Sequence, residues 1–382
     1  MLRPETSVLP PDGLCDLLFY ESFYKDNMNI LADGYDNLEP SARHFVDQAY
    51  HANKTLYGAS FMFRRLYSTE DFLTQEFYEA IDDFWARKIH HFGFLNLYRD
   101  FSAPEIVKDV LFVLKELHLH NKLFEQERTF SYKILGLYID SYNLPTMLED
   151  TALFMSTVFV PSMFIAIGHL PFSDASVYGC TILPPNNAFF LPPDTTYVFD
   201  LRESLAGLRS IGKEIPGLSL SLSVGLSGRY YNPSPESSAV ASNSDYGLFA
   251  AKCEDFSGPF YDDPANVCPS VSGDDWEFVG KPNLLFAAVY SRTRQRTLTY
   301  DTAELIQYKV CGSKTNFTDL HFSLAAYDVN FDSSPEACEE MGISAGAFRR
   351  LSTIRPLSNY LLRSYKDHDT CAKVNFSTSQ AV

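Results

Sequence analysis

Apolar, β-rich runs recur at a regular interval along the first part of the chain, at residues 16–23, 55–62, 93–100 and 132–139. Between them the apolar positions fall at helical spacing, at 42–52, 70–89 and 106–124. In the second of these, Phe72, Phe77, Ile81, Phe84 and Trp85 form a stripe that a helix turns toward a core. Further strands are predicted at 152–160, 218–224 and 322–329, and a closing helix at 345–364. Strand, helix, strand in this order predicts parallel β/α units. The spacing widens after Leu218, where residues 232–291 are rich in Ser, Pro, Gly and Asp and read as an inserted region. From Tyr365 the chain is polar and reads as a loose tail.

One predicted strand carries the candidate chemistry. In IHHFGFLNLYRDF (89–101), Asn96, Tyr98 and Asp100 fall at period two and share one side, while Leu95 and Leu97 take the other. The last residues of such a strand reach the mouth of a β/α repeat. Asp100 is the only acid there, with no partner carboxylate beside it. His90 and His91 read as a helix terminus. His118 and His120, two apart on a helix, face different ways and make poor metal ligands.

Composition narrows the class. At 382 residues and 46% hydrophobic, the chain has ample core and the length of a barrel. A net charge of −17 repels phosphate backbones, which excludes nucleic acid as a partner. Residues 151–170 carry no Asp, Glu, Lys or Arg and are long enough to cross a bilayer. Pro161, His169 and four hydroxyl residues favour a buried strand and an apolar loop instead, so no membrane span is expected. Arg292, Arg294 and Arg296 alternate, as on one face of a strand. They make either a solvated face or a basic stripe for a sulfated glycan or acidic partner.

Seven cysteines without a C-x-x-C pair, and three sequons (Asn53-Lys54-Thr55, Asn316-Phe317-Thr318, Asn375-Phe376-Ser377), point to a secreted protein with no metal knuckle. Cys253 and Cys268 are near enough to staple the inserted region, and Cys311 and Cys338 to join the last helix to the loop after the last strand. Spacing alone does not fix the pairing. The start, MLRPETSVLPPDG, holds no apolar signal-peptide core.

Several segments in order resemble glycoside hydrolase family 18, the chitinases and chitinase-like lectins, over nearly the whole chain. LRPETSVLPPDGLCDLLFY resembles the family's second barrel strand, KTLYGASFMF the third and IHHFGFLNLYRDF the fourth. VLFVLKELHLHNKLFEQERTFSYKILGLYI resembles the next helix and fifth strand, and LSLSLSVGLSGRYY the seventh with its Gly-Arg. TYDTAELIQYKVC with FSLAAYDVNFD resembles the final helix–strand unit. The resemblance implies an α/β fold, a TIM (β/α)₈-type barrel with a small α+β insertion. Barrel residues would be 1–231 and 304–364, the insertion 232–303 and the tail 365–382. It also implies that the first barrel strand, whose cysteine pairs with one placed like Cys15, is missing. Met1 is then expected to be an internal residue of a longer, secreted precursor, and the barrel to carry unpaired edges.

Active members carry D-x-x-D-x-D-x-E on the fourth strand. The Glu protonates the leaving oxygen, and the substrate's own acetamide attacks, oriented by the neighbouring Asp; this departs from the two-carboxylate pattern. Here the motif positions are Gly93, Asn96, Tyr98 and Asp100. Tyr98 supplies no negative charge and Asn96 no shared proton. Asp100 is one methylene short, setting its carboxyl back by about 1 Å, a misplacement that costs about a hundredfold. The Trp under the reacting sugar is replaced by Ala325 or Ala326, and the third strand's glycine pair by Ser60 and Phe61. Gly228 and Arg229 are kept. Tyr24, Tyr142, Tyr230 and Tyr231, with Asp140 ending the fifth strand, offer another substrate platform or simple packing.

The expected protein is a secreted, catalytically inactive chitinase-like protein without metal or cofactor. Its partner is expected to be a carbohydrate (chitin or N-acetylglucosamine oligomers) or a host protein. The alternatives are a weak glycosidase using Asp100 and an interaction protein without sugar affinity.

Overall fold

The structure, a computed structural model, describes residues 8–25, 28–29, 35–62, 69, 73–97, 104–123, 130–138, 144–170, 180–188, 200–240, 248–254, 260–268, 275–279 and 286–375. The chain divides into two compact units, Met1–Ile167 with Ala206–Ser221, and Gly168–Leu205 with Leu222–Val382.

The first unit is a run of β/α units. Strands β1 (Leu17–Lys25), β3 (Leu56–Phe61), β4 (Ile89–Leu97), β5 (Lys133–Leu137) and β6 (Met163–Ala166) pair as parallel neighbours in that order. A short β2 (Met28–Asn29) returns antiparallel on β1. Helices α1 (Pro40–His51), α2 (Gln75–Ala86), α3 (Pro104–Asn121) and α4 (Leu144–Thr157) alternate with them. Strands β3 to β6 are buried on both faces, as a helix-covered parallel sheet requires. Aromatics fill the layer between: Phe61 stacks on Phe92 and meets Phe77 edge-on, and Phe23 meets Phe84. Thr74 caps α2 by accepting the Phe77 N–H, which sets its start later than the predicted 70.

Two expectations in this unit are corrected. His90 and His91 belong to β4 rather than to a helix terminus. Lys88, in the left-handed region at φ 64°, makes the turn that ends α2, and the Tyr132 N–H donates to the buried His91 Nδ1 at 3.0 Å. The strand expected at 152–160 is instead the end of α4, with β6 starting at Met163. Met147, Leu148, Thr151, Ala152 and Met155 are buried while Leu153 is exposed. That is a helical period hidden in a uniformly apolar run.

In the second unit, β7 (Ser219–Gly225) enters at Leu222, and β14 (Ser323–Tyr327) is its neighbour. A second, antiparallel sheet fills most of the chain between them. Its strands are β8 (Gly228–Pro233), β9 (Cys253–Glu254), β10 (Tyr261–Asp262), β11 (Trp276–Phe278), β12 (Ala287–Ser291) and β13 (Arg296–Tyr300), ordered β10-β8-β13-β12-β11 with β9 on β8. It therefore begins at Gly228, taking in the Gly-Arg that resembled the end of a barrel strand. Helices α5 (Leu201–Glu214), α6 (Pro235–Val240), α7 (Ala303–Ser313), α8 (Arg349–Arg363) and α9 (His368–Lys373) complete the described elements. No helix among the described residues is long and apolar enough to cross a membrane.

Three more readings are corrected here. The disulfides are Cys180–Cys253, Cys268–Cys338 and Cys311–Cys371, so neither Cys253–Cys268 nor Cys311–Cys338 forms, and Cys15 stands outside the bridges. Residues 365–375 are not loose. Asp367 caps α9, Cys371 ties it to α7, and Gln307 Nε2 donates to the Cys371 and Val374 carbonyls. The basic stripe does not form, because Ser291 pairs with Arg296 across a hairpin and residues 292–295 are its turn. Arg292 instead meets Glu277 at 3.3 Å, and Arg296 lies over the Tyr230 ring.

Candidate functional site

The end of β4 is the first candidate. Its ladder slips between Phe94, opposite Leu135, and Leu97, opposite Leu137: three steps on β4 against two on β5. The slip, a β-bulge, falls at Leu95 and Asn96, which together stand opposite a single residue of β5, Gly136. Asn96 is 7% exposed, an amide at the position where the sequence resemblance looked for a carboxylate. Gly93 is closed in: a Cβ there would lie 2.8 Å from the Ile134 carbonyl oxygen and 3.2 Å from Leu95 Cδ2. Gly136 is required by the same bulge, since its Cβ would lie 2.4 Å from the Leu95 oxygen. Ser60 is buried and accepts the Leu95 N–H. Tyr98, Asp100, Asp140, Tyr142 and the Tyr24 side chain lie outside the described residues.

Tyr230 and Tyr231 do not form an open platform. They sit in separate cores of the second unit, 7% and 6% exposed. The Tyr230 hydroxyl donates to Asp262 and the Tyr231 hydroxyl to the Leu183 carbonyl. Burial, then Asp262, pushes the Tyr230 phenol far above its ordinary value.

Sequence reasoning missed a buried polar cluster in the second unit, around the carboxyl ends of β7 and β14. The Ser223 hydroxyl takes the Gly168 N–H at 2.8 Å and lies 2.7 Å from His169 Nδ1. The imidazole packs 4.5 Å from Tyr327 and against Gly225. Burial, with Arg229 adding to it, pushes His169 down to about 3, so the ring is neutral at any working pH. A serine beside a histidine resembles an activated nucleophile, but neither is accessible and this imidazole is too weak a base. Asp328 follows β14 in the left-handed region, φ 59°, and accepts the Ser227 hydroxyl at 2.8 Å. Burial pushes its carboxyl up to about 6, against the Ser227 bond and Arg229. Ala325 and Ala326 beside it are half-buried.

A deeper network holds this end together. Asp301 pairs with Lys309, both fully buried, and accepts from the Asn186 N–H and side-chain amide at 3.1 and 3.0 Å. Lys309 also donates to the Asn186 carbonyl, and Asn186 exchanges two 2.8 Å bonds with Gly225. Desolvation lowers the Lys309 pKa, while Asp301 opposes it. Every member has a partner, which is the pattern of structural support. Among the described residues the one cluster with metal-ligand types is Cys268, Cys338 and Glu340, and its cysteines are bonded to each other.

No family model matches the chain, and no curated protein sequence matches it. Solved structures do. The Group IV chitinase of Ostrinia furnacalis superposes with a TM-score of 0.61 at 12% identity, covering 91% of this chain and 92% of that one. A glycoside hydrolase family 18 N-acetylglucosaminidase from Paenibacillus barengoltzii gives 0.57 at 10%, covering 90% and 93%. Human YKL-39, a pseudo-chitinase with retained chitooligosaccharide binding properties, gives 0.55 at 10%, covering 89% and 90%. The chain thus has the fold of family 18 chitinases and chitinase-like proteins, the barrel-type α/β fold expected from its segments.

Proposed function

We propose that this is a secreted chitinase-like protein that binds N-acetylglucosamine-containing carbohydrate without hydrolysing it. The reading rests most on the end of β4, where Asn96 is the buried polar residue and Gly93 has no room for a carboxylate. Without a charged group to orient the acetamide and stabilise the cationic sugar ring, several kcal/mol of transition-state stabilisation are absent. Asp100 alone does not replace them. Ala325 and Ala326, half-buried beside Asp328, leave the surface under the sugar without its indole, so binding is expected to be weaker than in proteins that keep it. Secretion is supported by three disulfides linking segments 60 to 73 residues apart, a pattern of oxidising compartments.

Two measurements on one preparation test the proposal. Incubation with a fluorogenic chitobioside is expected to give no turnover, and titration with chitotetraose is expected to give saturable binding. Turnover abolished by Asp100→Asn would establish the weak glycosidase instead. Absence of both turnover and binding would leave the interaction-protein reading, with a host protein as ligand.

A further inference from the structure

One cleft among the described residues is remote from the strand ends that form a barrel mouth. It is a groove of about 360 Å³ between the C-terminal ends of α1 and α2, lined by Val46, Asp47, Tyr50, His51, Asp83, Ala86 and Arg87. These helix ends lead into the amino ends of β3 and β4. Along β4 the groove is therefore roughly 20 Å from Asn96, at a strand rise of about 3.3 Å per residue.

We propose that this groove is a second carbohydrate site, taking one or two neutral pyranose units. Its polar groups are already held in place. The Arg87 guanidinium lies over the Tyr35 ring, its Cζ 4.0 Å from the centroid, and its Nε binds Asp83 at 3.1 Å. The Tyr35 hydroxyl donates to one oxygen of Asp47. Asp47 and Asp83 each keep a second carboxylate oxygen to accept a ligand hydroxyl, and Arg87 keeps its Nη groups to donate. Opposed charges line the groove, so a neutral, hydroxyl-rich ligand fits better than an anion. Tyr50 supplies the stacking surface: it is 55% exposed, with His51 edge-on at 5.4 Å and the Lys88 ammonium 5.7 Å from its centroid. An exposed aromatic beside fixed hydrogen-bonding groups in a cleft of this size is what binding of a sugar's apolar face requires.

The same chemistry has two sources. One is a free oligosaccharide. The other is the chain's own glycan, because the sequon residue Asn53 lies two positions past His51, and its Nδ2 donates to the His51 carbonyl at 3.3 Å. A glycosylated amide nitrogen keeps one hydrogen for that bond.

The probe is chitotetraose, added to the full chain carrying Asn53→Gln and followed by hydrogen exchange. Peptides covering 43–52 and 80–90 are expected to slow saturably, and Tyr50→Ala to weaken that midpoint at least tenfold without changing the thermal midpoint. Slowing at 93–97 reports the barrel mouth separately, so either site can fail alone. In chain secreted with Asn53 intact, a self-bound glycan would make the groove peptides slow before sugar is added and fast after enzymatic deglycosylation. A free-ligand site would leave them fast until sugar is added. Groove peptides that respond to neither, or a Tyr50→Ala midpoint equal to that of the parent, overturn the proposal.

Discussion

Acidification should weaken this protein well above the pH at which ordinary carboxylates titrate. His91 and His169 are both buried, the first accepting the Tyr132 N–H at Nδ1 and the second with Nδ1 beside the Ser223 hydroxyl, and burial pushes both down to about 3 from 6.5. Above pH 6.5 the rings are neutral whether folded or unfolded. Between 6.5 and about 3 only the unfolded chain takes up the proton, so stability falls with pH by about 1.4 kcal/mol per unit per ring. From pH 7 to 5 that amounts to about 2 kcal/mol each, or about 4 together. Asp328 opposes it. Its folded carboxyl titrates near 6 rather than 3.8, so the native state is protonated first and the same change adds up to about 1.3 kcal/mol. The expected net loss is about 3 kcal/mol. Urea unfolding followed by circular dichroism at pH 7, 6 and 5 measures it. In His91→Asn the new Oδ1 still accepts the Tyr132 N–H, so the variant is weaker at every pH but its pH-dependent loss shrinks to about 1 kcal/mol. Equal stability at pH 5 and 7, or an unchanged pH dependence in His91→Asn, would refute the assignment of neutral buried imidazoles.

Lys309→Met leaves Asp301 charged and buried with only Asn186 as partner, and should cost about 3–5 kcal/mol in thermal unfolding. Adding Asp301→Asn should recover much of that loss. Replacing Cys268 and Cys338 with Ser opens a closure of 70 residues, and the chain-entropy relation gives a loss of about 4 kcal/mol by guanidinium unfolding. Gly136→Ala places a methyl 2.4 Å from the Leu95 oxygen and should cost roughly 1–3 kcal/mol or more, seen as a lowered melting midpoint.

The β/α series was legible wherever strand and helix periods were distinct. Residues 16–23, 55–62, 132–139, 218–224 and 322–329 all hold strands, because short apolar runs alternate with striped helices. The period failed at 152–160, where nearly every residue is apolar and only burial separates Met155 from Leu153. The bulge in β4 has no signature of its own; it appears only as the register slip against β5. Tyr230 and Tyr231 sit one after the other in sequence yet point into different cores, which no count of aromatics reveals. Their burial, not their number, removed them from the surface. His169 stood out only as a polar residue in an apolar run, and its partner Ser223 is 54 positions away.

What the sequence by itself determined is local: the succession of β/α units and the identity of the residues along β4, among them the amide of Asn96. Hydrophobic period and side-chain chemistry are properties of neighbouring residues, so they survive without coordinates. The tertiary structure alone decided which cysteines meet, that Asp301, Lys309 and Asn186 form one buried network across 123 positions, and that a polar cleft opens between α1 and α2. Those contacts join segments far apart in the chain. Their geometry is set by how whole elements pack, and no local pattern encodes it.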